Sequence, residues 1–547
     1  MTRILARRAA LATVATCALL SPLAAAPAYA GIVAAPVAVA ASDAAIALTP
    51  IGSYETGIFD ASAAEIVTFH GERMFVVNAQ AGDVEVLDFS DPGSIAKVAS
   101  ISVDGIANSV AVRADGLGVI AVESPVKTDP GHLAFFDAGD PGAGVIGTVQ
   151  VGALPDMVTI TSDGKYALVA DEGEPSDDFT IDPEGSVSIV RLDRKLRAPK
   201  QQHVKTADFH AFEDDLPEGV RVFGPTPHGD DRPVSRNLEP EYIAVIGDLA
   251  YVALQEANAV AVVHIPSAKA REILPLGLKD FGVTALDPSD RDGDYALRTY
   301  PGLFGVYMPD GIASYEAGGR SYFVTANEGD AREWGEYAES VRVKNLAKDG
   351  YGAVDPESPL AAYLGDADLG RLNVSIEGGF NAETGYYEEL HGFGGRSFSI
   401  WTTEGEQVFD SGSDFERITA EANGEFLNSN HSEANLEGRS DDKGPEPENL
   451  VLGEVDGRTY AFIGLERVGG IMVYDITDPA RASFAGYVNN RDFSVSVEDG
   501  GALADAGDLG AEGLAFLPAD ASPTGTPMTA VANEVSGTTT LVEVTAR

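Results

Sequence analysis

Six carboxylates and one amide recur at a single position of a repeated unit: Glu65, Asn108, Asp156, Glu241, Asp310, Glu448 and Glu512 each open a short apolar run. A second set closes the following apolar run of the same unit, at Glu123, Asp171, Glu172, Glu256, Glu328, Glu466 and Glu534, and Asp330 stands two residues beyond Glu328. Carboxylates gathered at one place repel, so either some hold protons or cations sit among them. Oxygen ligands with no thiol and few histidines suit Ca²⁺, with Mg²⁺ as the alternative, better than a structural zinc. The metal-ligand candidates are therefore Glu65, Asp156, Asp171, Glu241, Glu256, Asp310, Glu328, Asp330, Glu448, Glu466, Glu512 and Glu534. The competing reading is that each acid caps loop amides and ties neighbouring units together, since buried polar groups need partners in any case.

A few cations stand in this acidic field: Arg332, Arg467 beside Glu466, and Arg439 and Lys443 in Arg439-Ser440-Asp441-Asp442-Lys443-Gly444-Pro445-Glu446-Pro447-Glu448. An Arg fork beside bound cations is what recognition of a phosphate group requires. The plain alternative makes each a salt-bridge partner of its acidic neighbours. His431 and His228 fall in long inserted stretches, where a histidine can ligate a metal, act as a general acid or simply be solvated. The catalytic candidates are Arg332, Arg467, Lys443 and His431. No Gly-x-Ser-x-Gly elbow, His-Glu-x-x-His or phosphate-binding Gly loop is present, so serine hydrolase and zincin chemistry have nothing to stand on.

These residues need a scaffold that repeats. Seven copies of one unit, an acid or amide, an apolar strand, a tight turn and a second strand, begin at the seven positions above, and third strands follow as VEVLDF, HLAFFD, SVSIVRLD, AVAVVHI, RSFSIW, GIMVYDI and TTTLVEV. Short Val- and Ile-rich runs at regular spacing predict an all-β repeat protein, here a seven-bladed β-propeller. Fourth, outer strands are expected at 96–103, 145–151 and 484–488. The last repeat has only three, and residues 47–54 (ALTPIGSY) are expected to supply its fourth, closing the ring by pairing the N- and C-terminal strands. Antiparallel order puts strand-one starts and strand-two ends on one face. Long insertions at 172–183, 194–238, 329–395 and 411–447 are expected on that face, with mostly tight Gly-containing turns on the other and 518–527 as the exception. The acids then ring the mouth of a central channel.

Residues 1–30 read as an export signal: Arg3, Arg7 and Arg8 precede an apolar stretch from Ala9 to Leu20, and Ala28-Tyr29-Ala30 is a small-x-small cleavage site. Secretion after cleavage near Ala30 is expected, by either the general or the twin-arginine route. Residues 31–46 are expected to be a flexible mature N-terminus, and 47–547 one propeller domain. The only cysteine, Cys17, lies in the signal, which excludes thiol catalysis and Cys-ligated metal in the mature chain. A net charge of −48 argues against nucleic acid and anionic lipid as partners and favours divalent cations, although solubility alone accounts for much of it. No second apolar run is long enough to span a bilayer.

Over roughly residues 47 to 545 the chain resembles the bacterial choice-of-anchor I family of secreted, propeller-like proteins, which are described as alkaline-phosphatase-like. The resemblance rests on Leu238-Glu239-Pro240-Glu241-Tyr242, Leu254-Gln255-Glu256-Ala257-Asn258, Leu276-Gly277-Leu278-Lys279-Asp280, Pro309-Asp310-Gly311, the stretches 326–332 and 439–448, Gly464-Leu465-Glu466-Arg467 and Ala532-Asn533-Glu534-Val535-Ser536-Gly537. Members differ in how their C-termini are attached to the cell. This chain ends on its last strand without a sorting motif, which predicts release. Two functions follow as expectations. One is a metal-dependent phosphoester hydrolase at the channel mouth. The other is a non-catalytic extracellular module that binds a glycan, peptide or protein, with Ca²⁺ rigidifying the loops and Trp334, Tyr337 and Tyr386-Tyr387 as contact residues. A quinone-dependent dehydrogenase would be a third class, but vicinal cysteines and a tryptophan-docking repeat are lacking.

Overall fold

Runs such as Arg73–Asn78 and Tyr166–Asp171 are apolar at nearly every position instead of alternating, and the structure buries both of their faces. A strand buried on both faces belongs to a sheet stacked between two others. The computed structural model describes residues 31–229 and 232–547; the expected export signal at 1–30 lies outside the described residues. Among the described residues, six sheets have four strands, and a seventh has the same four-strand meander with a fifth strand at its outer edge. The arrangement is all-β, antiparallel and propeller-like.

The innermost strands are Val67–His70, Ile106–Val112, Pro155–Ile160, Pro240–Ile246, Ile312–Ala317, Pro447–Val455 and Ala511–Leu517. Each touches the next, and the last touches the first. Apolar clusters fill the spaces between sheets: Met74, Val76 and Leu87 pack on Met528, Ala530 and Leu541, and Phe75 and Val84 pack on Ile120 and Val122. Strand Ile46–Glu55 pairs antiparallel with Thr538–Ala546, from Ile46 opposite Ala546 to Glu55 opposite Thr538. On the side away from the insertions many strands are joined by tight turns, but 518–527 is a longer link. Residues 192–203 lie on this side as well, contrary to the expected placement of 194–238, because Val204–Ala207 returns as the outer strand of its sheet. Asp456 and Gly457 both take positive φ, 51° and 76°, the conformation whose twist suits a two-residue hairpin.

Two further expectations need correction. Segment 31–46 is not simply flexible, because Val37–Ala40 pairs antiparallel with Ser483–Asn489. That outer strand would otherwise leave a row of unpaired backbone groups, and the extended apolar VAVA run covers it. The insertions are also more than loops. Leu390–Phe393, Asn373–Ser375 and Ser340–Arg342 of the 329–395 insertion join Leu278–Asp280 and Leu303–Val306, from a further excursion at 276–311 that was not among the four expected, in one five-stranded sheet. Beneath it lies a separate core that includes Phe223, Tyr300, Trp334, Tyr337, Leu360 and Tyr387. Trp334, Tyr337 and Tyr387 are therefore buried packing residues, and only Tyr386 of the four expected contact aromatics is exposed.

Candidate functional site

All seven strand-one residues, Glu65, Asn108, Asp156, Glu241, Asp310, Glu448 and Glu512, line one cavity of 480 Å³. Each comes from a different sheet, and the convergence follows from their shared place at the start of the innermost strand. Glu256, Glu328, Asp330, Glu466 and Glu534 of the expected set line it too, together with Glu172, Glu174, Tyr242, Gln255, Lys443 and Arg467. Three insertions thus reach the cavity, through Glu174, Asp330 and Lys443.

Asp171 is the exception. It is fully buried and accepts hydrogen bonds from Ser186 Oγ at 2.8 Å, Ser188 Oγ at 2.6 Å and the Gly152 amide at 3.0 Å. Side chains alternate along a strand, so the residue before the cavity-facing one turns back into the sheet. Asn327 occupies the corresponding place before Glu328 and donates to Ser397 and Ser399, and Asn533 before Glu534 donates to Thr538. These residues clamp strand two to strand three, and the ligand candidate at this strand end is Glu172. Because Asn already serves at two corresponding places, Asp171→Asn is expected to leave melting temperature and Ca²⁺ stoichiometry nearly unchanged. Asp171→Ala orphans the two serines and should cost about 1–3 kcal/mol in urea denaturation.

The cations of the site are organised around Glu446, which is fully buried. Its carboxylate accepts from Arg439 Nε at 2.7 Å and Arg467 Nε at 2.9 Å, and Lys443 Nζ lies 3.3 Å away. Burial would raise this carboxyl, but the Arg439, Lys443 and Arg467 charges overcome burial and hold it well below the usual range. Lys443 also pairs with Glu328, and with Asp330 at 3.2 Å. Arg467 reaches Glu466 at 3.0 Å and His431 Nδ1 at 2.8 Å. Arg439, Lys443 and Arg467, with Asp330 and Glu333, line a second cavity of 290 Å³ that shares five residues with the first. Glu446 was not singled out from the sequence, since nothing in a Pro-flanked glutamate marks it as a hub.

Arg332 lines the second cavity too, but its side chain is already held by partners. Its guanidinium is tied to Glu239 at 2.9 Å and to the side chain and carbonyl of Asn237, and it lies over the Phe223 ring at 4.4 Å. With 1% of its surface exposed, it anchors the 329–395 insertion to the segment before Glu241. His431 is half-buried at the rim. His431, Glu466 and Glu534 each offer a ligand atom within 4.8 Å of the others, and so do Glu328, Glu448 and Glu466.

Burial drives the electrostatics of the ring. It raises Glu65 to about 8, with Glu534 and Asp156 adding repulsion against a lowering bond from Ser62. Glu256 rises to about 8 through burial and Glu239, and Asp156 to about 7 through burial, Glu123 and Glu174. Glu328 and Glu534 also rise to about 7. Glu172, Glu241, Asp310, Glu448 and Glu512 stand well above the usual range, each through burial first and neighbouring carboxylates second. One oxygen on each of Glu256, Asp310 and Glu448 is buried without a hydrogen-bond partner. Unsatisfied buried acceptors and mutual repulsion are relieved either by protons or by a divalent cation, and an oxygen-only donor set is of the kind that Ca²⁺ takes.

A family model described as the choice-of-anchor I domain matches residues 65–479. Gigasin-3a of Magallana gigas is 33% identical over 190 residues, which cover 33% of this chain and 66% of that protein. A mesenchyme-specific cell surface glycoprotein of Strongylocentrotus purpuratus is 30% identical over 274 residues, 44% of this chain and 35% of that protein. The matched region thus spans less than two thirds of each of these relatives. Among solved structures, a streptogramin B lyase aligns with a TM-score of 0.44 and 10% identity over 92% of this chain and 100% of that one.

Proposed function

The chain belongs to the choice-of-anchor I family, and from that premise we propose an extracellular, Ca²⁺-binding protein whose site is the carboxylate-lined mouth of a seven-bladed propeller. The observation that carries the reading is the convergence of the seven strand-one residues on one cavity. Support for seven blades closed by the terminal strands comes from the circuit of inner-strand contacts and the pairing of Ile46–Glu55 with Thr538–Ala546. Support for an extracellular site of action comes from the relative named as a cell surface glycoprotein and from the thiol-free chain after residue 17. Among the described residues no helix is long and apolar enough to cross a membrane. Glu328, Glu448 and Glu466 are the central ligand set, with Asp310, Glu512 and Glu534 beside them; Mg²⁺ would require stricter geometry than so many independent carboxylates impose.

A second reading, phosphoester hydrolysis, is favoured by the cavity that Arg439, Lys443 and Arg467 line next to the acids. A Ca²⁺ ion in the mouth would polarise phosphoryl oxygens and acidify a bound water. Lys443 and Arg467 would then steady the anionic charge, while Glu446 holds both in place. His431 would orient Arg467 or join Glu466 and Glu534 as a ligand.

Hydrolysis by the mature protein, read as phosphate released from monoesters and as the alcohol released from diesters, with Ca²⁺ and with chelator, tests both readings. Chelator-sensitive turnover that falls at least tenfold in Arg467→Gln establishes the hydrolase. Calcium binding without turnover on a broad panel leaves the binding module, for glycan or protein, as the function. The absence of both calcium binding and turnover overturns the proposal.

A further inference from the structure

A second group of carboxylates lies outside the mouth, on the segment 287–294 (Asp-Pro-Ser-Asp-Arg-Asp-Gly-Asp) and on the insertion that follows helix Asp414–Asn423. Asp287, Asp292 and Glu437 each offer a carboxylate oxygen within 4.8 Å of the other two. Asp287 and Glu437 are 0% and 2% exposed, and the Asp292 side chain is 10% exposed. In each of the three, one oxygen is fully buried with no hydrogen-bond partner: Asp287 Oδ1, Asp292 Oδ1 and Glu437 Oε1.

The remaining contacts do not neutralise the group. Asp287 Oδ2 accepts from the Ala296 amide at 3.0 Å, and Asp292 Oδ2 lies 3.4 Å from the half-exposed Arg298. The nearest buried cation, Arg396, bonds the Asp287 carbonyl at 2.8 Å, but its charge is matched by Glu416 at 2.7 Å. Three acids therefore face one Arg that is half in solvent. Three neighbouring carboxylates, each with a buried oxygen that lacks a donor, make an acceptor-only, oxygen-only cluster, which is the chemistry of a hard divalent cation.

We infer that Asp287, Asp292 and Glu437 bind a Ca²⁺ ion at a site separate from the mouth. Its structural role follows from what the two segments carry. Asp290 pairs with Arg371 at 2.7 Å, and Arg371 pairs with Asp441 at 3.0 Å, so the segment 287–294 is already leashed to the stretch 437–446. That stretch carries Lys443 into the mouth, Arg439 into the adjoining cavity, and the buried Glu446 that binds both. An ion between Asp287 and Glu437 clips the two segments together and fixes the entry of those three side chains.

The test uses the mature full chain, stripped with chelator and dialysed, and titrated with CaCl₂ alone by calorimetry and thermal melting. Asp287→Asn/Glu437→Gln is expected to lose one Ca²⁺ equivalent that Asp310→Asn/Glu448→Gln keeps, and to lose part of the calcium-induced rise in melting temperature. With chelator present the sign reverses: the amide variant melts above wild type because repulsion is gone. Unchanged stoichiometry, or the same calcium-induced rise as wild type, overturns the site and leaves a proton-sharing cluster. Should the double variant not fold, Asp292→Asn alone should weaken one class of sites by about tenfold or more; unchanged affinity overturns the site equally. If the mouth binds nothing, wild type shows the single equivalent assigned here and the mouth variant matches it, so the two proposals fail separately.

Discussion

Replacing Asp310 and Glu448 with Asn and Gln is expected to weaken Ca²⁺ binding at the mouth while raising the melting temperature of the calcium-free protein. Asp310 is buried and Glu448 half-buried in the ring, each has a buried oxygen without a partner, and both carboxyls stand well above their usual range through burial and then through neighbouring acids, Glu328 foremost. Removing two direct ligands should cost affinity on the order of 100-fold or more, the upper range seen for groups that merely support a ligand. The same change removes two sources of repulsion, which explains the opposite sign in chelator. Titration calorimetry and melting curves, each with and without calcium, read the two effects. A loss of stability in both conditions would mean that the ring holds the sheets together and no ion is involved.

The ring also fixes the pH dependence of the calcium-free protein. Glu65 and Glu256 rise to about 8 and Asp156, Glu328 and Glu534 to about 7, so the folded state holds protons that the unfolded chain has released. Stability then falls as pH climbs from the ordinary carboxylate range, about 4 to 4.5, towards 8. Calcium removes that decline, because binding expels the protons, and its affinity increases over the same interval. A flat melting temperature from pH 5 to 8 in chelator would contradict the buried ring.

Glu446→Gln is expected to produce the largest loss of stability of any single change at the site. Its carboxylate is the shared partner of Arg439, Lys443 and Arg467, and removing its charge leaves three cations in a buried region with a partner missing. Breaking a buried pair from one side costs about 3–5 kcal/mol. Adding Lys443→Met should restore part of that loss, a coupling that urea denaturation of the single and double variants measures. The pH dependence runs opposite to the ring's. The Glu446 carboxyl is held well below its usual value, so its contribution is full above the ordinary carboxylate range and disappears as pH falls through the folded value. The variant should lack that acid limb. Equal stability of wild type and Glu446→Gln would show that the cations relax into solvent.

The strand-one acids were legible because one position recurs in seven units, and repetition converts a one-dimensional spacing into convergence on an axis. Asp171 was misread for a related reason. Setting Ala170-Asp171-Glu172 against Ala326-Asn327-Glu328 and Ala532-Asn533-Glu534 puts Asp171 in the column of the asparagines, and a one-residue offset on a strand moves a side chain from the channel into the sheet. Arg332 gave no such warning. Its partners Asn237 and Glu239 are over ninety residues away in sequence, in an insertion with no repeat to align. The sheet within the insertions and the burial of Trp334, Tyr337 and Tyr387 were hidden in the same way, because strands of two to four residues leave too short a pattern to show a period.

The sheet shared by Ile46–Glu55 and Thr538–Ala546 also imposes an order in time. Most of the other meanders can assemble from strands made within a few dozen residues of one another, so they are free to form during synthesis. This one waits for the last strand to emerge. The entropy of joining such distant segments grows only slowly with their separation, but non-local pairing slows the search itself. In the closed ring proposed above, Val67–His70 and Ala511–Leu517 lack each other's company until that pairing is made, which leaves one seam open. Whatever holds either end during that interval, a chaperone or a tether, governs how long the seam stays open.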